Sequence, residues 1–239
     1  MTRHFGVLIP STNTTVEIEY TRLVPPRWQA HYARVLSQSH GKSPFSPPLD
    51  GDVEYQARLL ATAKVEAIIL VQTSASLFAD DYDAATIARI ERASGGITAI
   101  TSANAVGEAA RALGTRRVAL VSPYSDEVNA RAKRYFETKH DLTVVALEGF
   151  AATDAYAIGA LGPEHARDAF ARVDRPEIEA FVVPGGNFPT MTSVPAWEAE
   201  FRKPVITTNQ AALWAMLRQL GSADTLPGLG RLLETGEHV

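Results

Sequence analysis

Phe5-Gly6-Val7-Leu8-Ile9-Pro10-Ser11 and Glu66-Ala67-Ile68-Ile69-Leu70-Val71-Gln72 decide the fold, because both are answered later in the chain. Setting Pro10 on Pro123 aligns the first run with Arg117-Val118-Ala119-Leu120-Val121-Ser122-Pro123-Tyr124, an offset of 113 (123 − 10). The same offset sets the second run on Glu179-Ala180-Phe181-Val182-Val183-Pro184-Gly185 (185 − 72). Two matches at one offset argue for an internal duplication. A third match, Ile100-Thr101-Ser102-Ala103-Asn104 with Ile206-Thr207-Thr208-Asn209, has a shorter offset of 106 (206 − 100). Each of these segments runs on to a Leu-Gly, at 113–114 and 220–221, as expected for glycine just past a helix end.

Working outward, short apolar runs suggest strands at 5–9, 30–35, 67–71, 97–101, 118–122, 142–147, 180–183 and 204–207. Helical periodicity lies between them, near 14–22, 52–63, 83–93, 103–113, 126–138, 164–172, 194–201 and 209–219. Alternating strand and helix patterns specify parallel sheets covered by helices. The expected architecture is therefore α/β, with two pseudo-symmetric lobes, each a four-stranded parallel sheet flanked by helices. The expected boundaries are 1–103 plus 208–239 for one lobe and 104–207 for the other, with a ligand cleft between them.

Composition excludes several classes of function. The 239 residues hold 23 Lys plus Arg against 27 Asp plus Glu, a net charge of −4, which gives no electrostatic support for nucleic acid. No run of about 18 apolar residues suggests a membrane span, and the start lacks a signal-peptide pattern, so a cytoplasmic location is expected. The chain has no Cys, which excludes disulfides, thiolate metal sites and thiol nucleophiles. The 6 His are not spaced to share a helix face, and no glycine-rich phosphate loop follows a strand, so neither a metal nor a nucleotide cofactor is expected. Association into a symmetric homo-oligomer is expected only from the general habit of enzymes of this size, since no stripe in the sequence specifies one.

In doubly wound sheets, ligands bind beyond the carboxyl ends of the strands. Four such ends carry small polar residues: Pro10 to Thr15, Gln72 to Ser76, Ser122 to Asp126 and Pro184 to Thr190. Hydroxyls and backbone N–H groups there can hold a carboxylate and stabilise an enediolate-like charge. Simple helix capping is the competing explanation for any one loop.

Gly6 to Glu17 reads G-V-L-I-P-S-T-N-T-T-V-E, which resembles the opening of maleate isomerases. Thr73-Ser74-Ala75-Ser76-Leu77-Phe78 is similar to a T-S-x-S-F segment shared with arylmalonate decarboxylases, and Pro123-Tyr124 resembles their pocket tyrosine. The chain thus resembles the aspartate/glutamate racemase superfamily over nearly its whole length. The resemblance implies a cofactor-independent isomerase or decarboxylase acting on a small carboxylate or dicarboxylate. Asn13, Gln72, Thr73, Ser74, Tyr124, Gly185, Gly186 and Asn187 would bind substrate, and Gly186 would offer its backbone N–H. Gln72 and Gly185 stand where the resemblance places the family's cysteines, and neither side chain transfers protons near neutral pH.

The acid/base work would then pass to Tyr124, Ser74, Ser76 or a substrate-bound water. The alternative is a non-catalytic carboxylate-binding protein on the same fold. Asp80, Asp81 and Asp83 are expected to charge a helix start, Glu17 and Glu19 to lie on a solvated helix face, and Arg22, Arg34 and Arg131 on the surface. Trp197 and Trp214 are expected in the core or between lobes. The Ser/Pro-rich stretch from Ser37 to Pro48, with His40, is expected to be a long loop that could act as a lid.

Overall fold

The computed structural model describes residues 2–36 and 52–235, so the stretch around His40 lies outside the described residues. The first half runs β1 (Arg3–Pro10), α1 (Val16–Leu23), β2 (Trp28–Val35), α2 (Val53–Thr62), β3 (Ile68–Leu70), α3 (Thr73–Ser76), α4 (Tyr82–Ser94), β4 (Ala99–Thr101) and α5 (Ser102–Ala112). The second runs β5 (Arg117–Ser122), α6 (Asp126–His140), β6 (Thr143–Gly149), α7 (Ala155–Gly159), α8 (Pro163–Val173), β7 (Ala180–Val183), α9 (Val194–Phe201), β8 (Val205–Thr207), α10 (Thr208–Gln219) and α11 (Arg231–Glu234). All eight expected strands and all eight expected helices are present. The three four- or five-residue helices, α3, α7 and α11, were too short to show a period.

The strands form two parallel sheets in the same order, β2-β1-β3-β4 and β6-β5-β7-β8. The duplication is visible pair by pair in the registers. Gly6 faces Ile68 and Val7 faces Ile69 across β1 and β3; 113 residues on, Ala119 faces Phe181 and Leu120 faces Val182. Ile68 faces Ala99 and Ile69 faces Ile100; their counterparts, Phe181 with Val205 and Val182 with Ile206, reproduce the second offset of 106. The Leu-Gly pairs also match, with Gly114 at φ 66° and Gly221 at φ 68°, each in the left-handed region that glycine enters without steric cost.

Hydrophobic burial joins the halves. On the first sheet Leu8, Ile68 and Leu70 face α2 and α4, where they pack with Leu60 and Ile90. Phe5, Val7, Ile9, Ile69 and Val71 on the opposite face belong to one continuous core with Val118, Leu120, Phe181 and Val182 of the second sheet. Helices α5 and α10 pack on one another, and both bury small residues, Ala105, Ala109, Ala211 and Ala212 among them. Every residue of α10 from Thr208 to Leu217 is buried, the mark of a helix enclosed on all sides. Trp214 lies on this helix and Trp197 is buried on α9, as expected for both.

Candidate functional site

Parallel strands of one sheet end at the same edge, and here the packing of the two sheets brings those edges together, so the loops after β1, β3, β5 and β7 meet. They enclose a cavity of about 80 Å³ lined by Pro10, Thr12, Asn13, Val71, Gln72, Thr73, Ser74, Tyr124, Ala155, Ile158, Gly185, Gly186 and Asn187. All eight residues expected from the sequence to bind substrate are among them. Ala155 and Ile158 were missed because α7 is short; Asp154, whose carboxylate accepts the Ala157 N–H at 2.8 Å, was the available capping signal.

After β3 the chain turns into α3, placing Thr73 at the meeting point of both halves. Its hydroxyl lies 3.1 Å from Ser102 Oγ and 3.0 Å from Thr208 Oγ1, the first residues of α5 and α10. Thr208 Oγ1 also accepts the Gly185 N–H at 2.9 Å. When Ser102 and Thr208 both donate to Thr73, its lone pairs are filled and its own proton is left for the cavity. The hydroxyl of Ser74 and the carboxamide of Gln72 bond to no other described residue.

Gly185 has φ +123°, and a Cβ on it would stand 2.9 Å from Pro123 Cγ and 3.6 Å from Tyr124 Oη. A Cβ on Gly186 would stand 2.9 Å from Val71 Cγ1. The wall after β7 therefore approaches the other loops through bare backbone. Neither the Gly186 nor the Asn187 N–H donates to a described residue, which leaves both for a ligand.

Asn13 and Asn187 line the cavity while tying its walls together. Asn13 Oδ1 accepts the Thr15 and Val16 N–H groups, both at 3.0 Å, and its Nδ2 donates to Gly186 O at 3.1 Å. Asn187 Oδ1 accepts the Thr14 N–H at 2.7 Å, and its Nδ2 donates to Ala155 O at 2.6 Å. Tyr124 is buried, 3% exposed, and burial pushes its phenol well above the usual range. It is therefore neutral near pH 7 and acts as a hydrogen-bond donor. Ser122 and Asn129 hold the turn that carries it: the Tyr124 N–H donates to Ser122 Oγ at 3.1 Å, and Asn129 Nδ2 donates to Tyr124 O at 3.1 Å.

Several residues lie elsewhere than expected. Ser76 does not line the cavity; its hydroxyl donates to Asp83 Oδ1 at 2.6 Å, and Asp83 Oδ2 also accepts from Tyr135 Oη at 2.5 Å. Asp83 thus joins α3 and α4 to α6, and Asp80 pairs with Arg134 of α6 at 2.7 Å. Arg34 is half-exposed and donates to Asn13 O at 2.8 Å as well as to Glu17 at 2.7 Å, so it braces the loop after β1. Glu19 overturns the expectation of a solvated face, since it is buried at 7% exposure with Val16 and Tyr20. Among the described residues no group of three or more His, Cys, Asp or Glu could hold a metal ion, and no helix is long and apolar enough to cross a membrane.

Two parallel sheets of identical strand order, opening at one edge onto a cavity lined by donors, define a pseudo-symmetric two-lobed α/β protein. The chain belongs to the arylmalonate decarboxylase family, whose model matches residues 5–233. It is 28% identical over 246 residues to a maleate isomerase of Nocardia farcinica, covering 99% of this chain and 98% of that protein. It is also 28% identical over 193 residues to an arylmalonate decarboxylase of Bordetella bronchiseptica, covering 74% and 75%. Among solved structures it resembles a cysteine-to-alanine variant of the maleate isomerase Iso from Pseudomonas putida S16 with maleate, at a TM-score of 0.90 and 27% identity, covering 98% of each chain.

Proposed function

We propose that this protein binds a small carboxylate or dicarboxylate at the cavity and acts on it as a cofactor-independent decarboxylase or isomerase without a thiol. The observation that carries this reading is the lining itself: the N–H groups of Gly186 and Asn187, unengaged among the described residues, the hydroxyls of Thr73 and Ser74 and the buried phenol of Tyr124 stand around one cavity. Carboxylate recognition falls to the Gly186 and Asn187 N–H groups and to the hydroxyls of Thr73 and Ser74, with Gln72 as a further donor. Such donors stabilise charge that develops on a carboxylate when they are fixed before the reaction.

Of the two reactions carried out by relatives, decarboxylation suits these residues better. Rotation about a carbon–carbon double bond needs that bond to be made single, and Ser74, with no base among the described residues bonded to it, is a weak nucleophile for such an addition. Loss of CO2 from an activated malonate needs only that the electron pair left behind be held as an enediolate and then protonated at carbon. Tyr124 Oη supplies that proton, and the phenolate is reprotonated from water. A raised phenol pKa is no obstacle, because the enediolate carbon is far more basic than a phenolate.

CO2 release and proton incorporation from phenylmalonate and methylmalonate, and cis–trans conversion of maleate, are the deciding assays. Tyr124→Phe is expected to lower turnover at least about 100-fold, the contribution of a positioned general acid, while diacid binding persists. Absence of turnover of all three acids by the wild-type protein refutes the catalytic reading. The lack of any described lining group that titrates near neutral pH favours the second reading, a carboxylate-binding protein. Thermal stabilisation by a diacid without chemical change would establish it.

A further inference from the structure

Glu19 is a buried carboxylate that the proposed chemistry does not use, and it faces the back of the cavity wall. Its Oε1 accepts the N–H groups of Thr190 and Met191 at 2.8 and 2.9 Å, in the loop after β7. Its Oε2 accepts from Asn209 Nδ2 at 2.6 Å, in the first turn of α10. Asn209 Nδ2 gives its other hydrogen to Gly186 O at 3.1 Å, beside the bond from Asn13 Nδ2 to the same oxygen. One carboxylate thus gathers the loop after β7 and the start of α10, and reaches the cavity wall through a single carboxamide.

The orientation of that carboxamide is set from its NH2 end. Asn209 is 1% exposed, and its Oδ1 is buried and accepts from no described residue. A buried acceptor without a donor is unfavourable, so an unconstrained amide would rotate to find one. The Glu19 carboxylate opposes rotation, since turning Oδ1 toward it would set two oxygens against each other. The same bond aims the NH2 group at Gly186 O.

Gly186 O belongs to the peptide whose N–H is that of Asn187. In a trans peptide the two groups point in opposite directions, so anchoring the carbonyl fixes where the N–H points. Accepting two hydrogen bonds also polarises the peptide and strengthens its N–H as a donor. Gly186 and Asn187 both line the cavity, and this N–H has no acceptor among the described residues.

We infer that Glu19 is a positioning residue which, acting through Asn209, holds the Gly186–Asn187 peptide with its N–H presented to the ligand carboxylate. The inference rests on the carboxylate-binding reading of the cavity and adds residues that do not themselves touch the ligand. Burial raises the pKa of Glu19, whereas its three N–H donors lower it. The ionised form suits the geometry, because all three neighbours are donors.

The test uses the full chain, with maleate and methylmalonate as probes, isothermal titration for affinity and the Asn187 amide resonance as a local reporter. Glu19→Gln keeps an oxygen for the Thr190 and Met191 N–H groups but turns an NH2 toward Asn209, removing the acceptor that orients it. Asn209→Ala cuts the link while leaving Glu19 on the loop. Each variant is expected to weaken diacid binding about tenfold or more, the value of one hydrogen bond to a charged group. The double variant should bind no more weakly than the worse single one, because both break the same chain. Diacid should shift the Asn187 amide in the wild type and not in the variants.

Affinity within twofold of wild type in Glu19→Gln, or multiplying losses with an unchanged Asn187 response, overturns the positioning role. If Glu19→Gln does not fold, Asn209→Ala decides by the same criteria. If neither diacid binds the wild-type protein, the carboxylate reading falls and this inference falls with it. If the wild type binds and the variants bind equally, only the positioning role is lost.

Discussion

Placing a side chain at Gly185 is expected to damage the protein, although the corresponding position in the other half, Gln72, should accept change. Gly185 has φ +123°, a conformation that costs a residue with a Cβ about 1–3 kcal/mol. Its Cβ would also lie 2.9 Å from Pro123 Cγ, inside normal contact, and overpacking of this kind adds about 1–3 kcal/mol. Gly185→Ala should therefore lose about 2–6 kcal/mol, which in a chain of this size is a fall in Tm of roughly 5–20 °C. Gly185→Cys should lose at least as much, and Pro123→Ala in the same protein should recover only the part due to overlap. Gln72 has φ −142° and ψ 72°, which any residue adopts, so Gln72→Cys should cost within about 1 kcal/mol. Calorimetric melting of these four variants beside the wild type is the assay. A Gly185→Ala variant melting within about 2 °C of wild type would refute the reasoning, because it would mean that the loop yields at negligible cost.

Two further perturbations test the cavity wall and the packing of α6. Thr208→Val leaves the buried Gly185 N–H without its acceptor and should cost about 1–3 kcal/mol, whereas Thr208→Ser should melt close to wild type; equal losses would show that the hydroxyl is not what matters. His140 packs on Tyr135 and Phe136 with neither ring nitrogen bonded to a described residue, and burial lowers its pKa from 6.5 to about 4. The unfolded chain then binds more protons than the folded one between those values, so the stability that neutral His140 permits is complete above pH 6.5. That stability is lost as pH falls to 4, by roughly 3 kcal/mol. In His140→Leu the difference in unfolding free energy between pH 7 and pH 4 should shrink by that order, and an unchanged pH dependence would disprove the assignment.

Much of the architecture was legible because the apolar runs and helical periods that mark each element are local properties, and a duplicated chain shows them twice. The apolar runs at 5–9 and 67–71 locate two strands, and their repeats at one offset require that the pairing of one half recur in the other. The registers of Gly6 with Ile68 and Ala119 with Phe181 agree with that. The polar strand ends were equally legible, since parallel strands bring their carboxyl ends to one edge of each sheet. The packing of the two sheets then makes Asn13, Thr73, Tyr124 and Gly186 meet at one cavity.

What lies behind that cavity belonged to the tertiary structure alone. Nothing near Glu19 in the sequence distinguishes it from Glu17, two residues earlier on α1, yet one is buried and the other pairs with Arg34 at the surface. Its partners Thr190, Met191 and Asn209 come from more than 170 residues away. The same holds for the asparagines, whose residue type suited ligand binding and capping equally, until the positions of Thr14, Ala155 and Gly186 showed what their amides hold. By itself the sequence determined where the strands and helices lie, that the two halves repeat and which strand ends are polar, because periodicity and repetition are carried by neighbouring residues. Only the folded chain decided which polar groups remain free for a ligand, because a hydrogen-bonding group is engaged or available according to what packs opposite it.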